Sequence, residues 1–233
     1  MANPTEAQAV KPAQRTWALV RWQLRVLRTQ RSARFARWMA GLVALGFVVG
    51  TLGARTVSGP AAIDADLAVG AARLAAWVAA GPLLLGAAQG SSLAQRLEGR
   101  ELYGALVGAS ERSLVAARAL AVALGAALLV ALPSTLAALA VLGASTSGAA
   151  AWERARVLVA LWPFAFVTGA LLGPLAVACD RLAQARGRSL FLAVVLLPFL
   201  VADPLGLGPL SVPGLLEAVL DLGLWLLGLE RFT

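Results

Sequence analysis

The chain has 233 residues, of which 60% are hydrophobic and 14% charged, with a formal charge of +8. That balance is too apolar for a water-soluble domain and indicates an integral membrane protein. One cysteine, no histidine and a single lysine (Lys11) exclude an internal disulfide, the usual zinc and haem ligand sets, histidine-based nucleophilic triads and a phosphate-cradling GxxxxGK[ST] loop.

Residues 1–11 are small, polar and proline-containing, and read as a disordered N-terminus. The basic stretch that follows is too long, and lacks the small-residue cleavage site, for a signal peptide. From residue 12 to residue 37 the pattern is a basic amphipathic helix. Arg21, Arg25 and Arg28 form one stripe at helical spacing, and Leu19, Trp22 and Val26 point away from it. Trp17 and Trp22 precede the first apolar run by several turns. Arginine reaching phosphates and tryptophan at headgroup level suit a helix in the membrane interface. The plainer alternative is a juxtamembrane arginine cluster that only sets orientation.

Residues 38–233 read as an all-α membrane domain of about six spans, at ~20 apolar residues each. The runs are 38–52, 67–90, 114–141, 157–178, 189–202 and 214–229. Pro82, Pro133, Pro163, Pro174 and Pro198 within them are expected to set kinks. Gly46/Gly50 and Gly169/Gly173 are GxxxG pairs, read first as packing within the chain and second as a dimer contact. Cys179 reads as a small apolar filler. Glu217 and Asp221 lie one turn apart on the last run. They could line a pathway, but Pro213 and the glycine-rich segment before it favour a place near the outer interface, where they suit a helix N-terminus. Few other ionisable groups fall inside the runs, which argues against a gradient-driven carrier. An intramembrane enzyme lacks a catalytic pair at matching depth.

Between the second and third runs lies a charged island, Ser91–Arg118. Charges in hydrocarbon cost about 2.5–3.5 kcal/mol each by insertion scales, so the island must lie outside the bilayer. The larger set of basic residues falls on one side: Lys11–Arg37, Arg96, Arg100, Arg112, Arg181, Arg186, Arg188 and Arg231. Arg55, Arg73, Arg154 and Arg156 fall on the other. The positive-inside rule then puts both termini and the island in the cytoplasm. The preference for Arg over Lys and the Ala-rich usage suggest a GC-rich bacterium, and hence its inner membrane. The basic charge orients helices, and nucleic acid is not an expected partner.

Glu98-Gly99, Ser110 in a turn region and Ala117-Arg118 opening the third run make the segment similar to that of the membrane subunit of type-2 ABC exporters. Gly108 stands where a proline is common in that family, and Glu101 comes one place early. The compact size and the Pro133-bearing third run look similar to the haem-exporter-like subunit of cytochrome c maturation. The resemblance implies a permease with a basic interfacial helix, six spans and a cytoplasmic coupling segment (residues 91–113) that docks on a separate ATPase. It implies that Glu98, Arg100, Glu101, Glu111 and Arg112 contact that ATPase, which would hold ATP and magnesium while this chain binds no cofactor. A second permease copy or a different permease subunit, and membrane lipids, are the other implied partners, with hydrophobic or lipid-like cargo. A membrane scaffold or regulatory subunit that transports nothing is the alternative.

Overall fold

The computed structural model describes residues 12–58, 73–89, 110–142, 148–183, 186–202 and 211–226. Among these residues every regular element is helical. In chain order, α1 is Pro12–Thr29, α2 Arg31–Ser58, α3 a π-turn (Ala75–Ala79) running into Ala80–Ala87, and α4 Glu111–Leu142. Then come α5, Gly148–Ala183; α6, Gly187–Ala202; and α7, Val212–Leu226.

Three of these helices are long and apolar enough to cross a membrane, through Arg31–Gly50, Glu111–Leu136 and Leu161–Ala183. The sixfold expectation is met in part. α3 and α6 are shorter apolar helices, α6 with 16 residues, and α7, with 15, carries Glu217 and Asp221. At about 1.5 Å per residue they fall short of a ~30 Å hydrocarbon core.

The expected single helix over residues 12–37 is two helices. The chain turns at Gln30, whose N–H donates to Leu27 O at 3.1 Å while its carbonyl accepts from Arg34 N at 3.0 Å. Arg37 then reaches back and donates to Arg28 O at 2.9 Å. A cation there offsets the unmatched carbonyls at the end of α1. Residues 31–37 therefore belong to the first membrane-crossing helix. The face of α1 opposite its arginines, with Leu19, Val20 and Leu27, is buried in the protein core, and α4 is its main neighbour.

The core is built largely from alanine and leucine with some valine, and Leu84, Leu161, Leu172 and Leu220 are among its largest fully buried side chains. Trp38, Leu42, Leu45 and Val49 line the outside of α2. Small residues allow close helix packing where lipid removes the usual hydrophobic driving force. The Gly169/Gly173 pair does this between α5 and α4. A Cβ on Gly169 would lie 2.3 Å from Ala123 O, and one on Gly173 2.6 Å from Ala123 Cα. Among the described residues nothing lies within 4 Å of a Cβ on Gly46 or Gly50 on α2, so packing among them explains one pair only. The proline-bearing helices α4, α5 and α6 all run on through their prolines. Beyond Pro133, Ser134 Oγ donates to Val130 O at 3.0 Å and Thr135 Oγ1 to Ala131 O at 2.8 Å. These hydroxyls supply donors to the turn that proline loosens.

Candidate functional site

Four helix ends meet where the polar island leaves and re-enters the bundle: the end of α3, the start of α4, the end of α5 and the start of α6. Arg118, two turns into α4, is at their centre. Its Nη1 donates to Asp180 Oδ2 on α5 at 2.5 Å, and its Nη2 donates to Ala87 O at the end of α3 at 2.8 Å. The side chains of Arg118 and Asp180 are 10% and 4% exposed. A fork of fixed donors suits this double role, because one guanidinium can satisfy a carboxylate and a helix-terminal carbonyl together. Ala87 O belongs to the last turn of α3, whose carbonyls have no intrahelical donor. Asp180 sits near a helix C-terminus, where a negative charge is unfavourable, so the guanidinium also offsets that cost. Among the described residues, Asp180 Oδ1 is the buried side-chain atom left without a hydrogen-bond partner.

Arg188, in the first turn of α6, makes a parallel pair of contacts. Its Nε donates to Leu85 O at 3.1 Å, and its Nη2 donates to Gln89 Oε1. Arg181 near the end of α5 pairs with Glu111, the first residue of α4. A carboxylate in that position also faces the positive end of the α4 dipole. Ser110 caps α4 by accepting from Ser113 N at 3.2 Å, while its carbonyl accepts from Leu114 N at 3.1 Å. The turn into α6 needs glycine, since a Cβ on Gly187 would lie 2.2 Å from Ala88 O and 3.0 Å from Cys179 O. The start of α2 joins the same end of the bundle, where a Cβ on Gly86 would lie 2.2 Å from Ser32 Oγ.

Of the expected docking residues, Glu111 and Arg112 are exposed at the start of α4, with Glu111 on Arg181. Glu98, Arg100 and Glu101 lie outside the described residues. On α1, Arg21, Arg25 and Arg28 share an exposed face with Trp17, while Trp22 is half-buried on its flank. Glu217 lies 3.7 Å from Arg73, and both side chains are about half exposed. Arg73 lies just before α3, at the end of that helix away from Ala87. Cys179 is buried, as expected of an apolar filler.

The residues that sequence reasoning missed as a site are Arg118, Asp180 and Arg188. Arg118 was visible as the lone cation entering a long apolar run, and Asp180 as a carboxylate directly following another. Neither position names the other as its partner. No metal-holding group of three acidic, histidine or cysteine side chains occurs among the described residues. Comparison with protein families, curated proteins and solved structures finds no match for this chain.

Proposed function

We propose that this chain is the permease subunit of an ATP-driven ABC exporter, with about six membrane helices and both termini cytoplasmic, in a bacterial inner membrane. A separate ATPase would grip the polar island and supply the energy, since the chain has no phosphate-binding loop of its own. The cargo class that fits the apolar spans is hydrophobic or lipid-like.

The observation that supports this reading most is the anchoring of the island. Both of its roots, the end of α3 and the start of α4, are tied to each other and to α5 and α6 through Arg118, Arg188 and the Glu111–Arg181 pair. A push on the island would therefore reach four helices together instead of being absorbed in a slack loop. Two discrete packings of those helices, biased by the partner's nucleotide state, would suffice for alternating access. Arg31 and Arg34 at the start of α2, Arg112 and Arg118 at the start of α4, and Arg181 and Arg188 beside the α5–α6 turn belong to this same end of the bundle. That matches the positive-inside rule for a cytoplasmic face.

The test is reconstitution with an ABC-type ATPase that co-purifies with this chain. A double charge reversal, E98K with R100E, is expected to abolish stimulation of the ATPase while the variant inserts and melts like wild type. Unchanged stimulation refutes the docking assignment. Co-purification of other membrane proteins and no ATPase would favour the scaffold.

A further inference from the structure

We propose that the elbow between α1 and α2 is a binding site for anionic phospholipid headgroups, formed by Arg28, Arg31 and Arg34. This does not rest on a partner ATPase. The first observation is unmatched charge. Most other well-placed arginines of the bundle are spent: Arg118 on Asp180, Arg181 on Glu111, Arg73 on Glu217, and Arg37 on the carbonyls of Arg28 and Ala33. Arg28, Arg31 and Arg34 are exposed, and among the described residues none of them has an acidic partner. They crowd around one turn, with Arg28 at the end of α1 and Arg31 and Arg34 on the first turn of α2, whose N–H groups also favour an anion.

The second observation is the order of side chains up the outer face of α2. Arg31 and Arg34 come first, then Phe35 and Trp38, then Leu42, Leu45 and Val49, all exposed. These positions share one helical face by their spacing. Trp38 lies about 10 Å above Arg31, and Val49 about 16 Å above Trp38, at 1.5 Å per residue. Phosphate, headgroup–acyl boundary and hydrocarbon follow one another on that scale, with aromatics at the boundary. A lipid standing against α2 would thus place its phosphate among the three guanidinium groups and its chain along Leu42, Leu45 and Val49. Guanidinium groups match phosphate oxygens with paired donors. An acidic protein would use the arginines but has no reason to require the aromatic and aliphatic steps above them. Arg37 orients the elbow through its bond to Arg28 O and is not counted as a ligand.

The test uses the purified full-length protein in detergent with phosphatidylglycerol and phosphatidylcholine of identical chains, retained lipid being read by native mass spectrometry. Wild type is expected to retain phosphatidylglycerol preferentially. Each basic residue near an anionic surface is worth about fivefold, so R28Q/R31Q/R34Q should reduce the preference at least about tenfold. The matching triple lysine variant should keep most of it. Equal retention of both lipids by wild type, an undiminished preference in the glutamine variant, or its loss in the lysine variant overturns the proposal. Displacement of the lipid by inorganic phosphate at matched ionic strength overturns the commitment to a lipid source. Should the glutamine variant fail to fold, a salt series on wild type decides. The preference must fall as ionic strength rises, and a salt-independent preference overturns the site.

Discussion

Replacing Arg118 by methionine, which is similar in length and apolar, removes one partner of a buried ion pair and leaves the other in place. Asp180 would then be buried with neither oxygen matched, and Ala87 O would lose its donor. Breaking such a pair from one side costs about 3–5 kcal/mol. That is a factor of roughly a hundred and fifty to several thousand in a folding equilibrium, at about 1.36 kcal/mol per tenfold. The converse substitution, D180L, strands the guanidinium and should cost a similar amount. The double variant R118M/D180L removes both charges together, and apolar replacement of a whole pair is often neutral. It should therefore recover most of the loss, giving a coupling of at least about 2 kcal/mol between the two sites, near the upper end for contacting residues. The assay is a thermal series on detergent-purified protein, reading the fraction that stays monodisperse, for wild type, both single variants and the double. Single variants that melt within a degree or two of wild type, or a double variant whose loss equals the sum of the two, would refute the assignment of this pair as a buried clamp.

Three other substitutions probe the packing and the far end of the bundle. Gly173→Val places side-chain atoms where Ala123 Cα already stands within 2.6 Å of a Cβ position. It should destabilise by at least about 1–3 kcal/mol, the range for overpacking, whereas Gly46→Val, facing open space, should be nearly neutral in the same thermal assay. Glu217→Gln breaks a half-exposed pair whose stability contribution is about 0–1 kcal/mol after solvent screening. Its melting temperature should stay close to wild type in the same thermal assay, and a shift of several degrees would refute the reading of this pair as a screened surface contact.

The apolar runs and their approximate limits were legible because membrane helices announce themselves by composition over a long window. The break at Gln30 was not. Thr29-Gln30-Arg31-Ser32 contains neither glycine nor proline, and the turn is held by Arg37 bonding nine residues back along the chain. The two glycine pairs were equal in sequence, and only the neighbour decides between them: α4 covers Gly169 and Gly173, while nothing described covers Gly46 and Gly50. The charged island leaves and re-enters the bundle at the end where Arg118, Asp180 and Arg188 lie. The ties that give that end its coherence join residues 31 and 62 positions apart, a separation that helical periodicity cannot reach. Arg118 could be suspected from its isolation, but its choice of Asp180 depends on how α4 and α5 align.

The contact of Gly169 and Gly173 with Ala123 and Ala127 leaves α4 and α5 no slack between their backbones. Sliding one past the other by even a fraction of a turn would drive side chains into the main chain of the neighbour. These two helices must travel as a single rigid body through any working cycle. Any rearrangement of this bundle must part it along the seams that pair shares with the other helices, and never down its own middle.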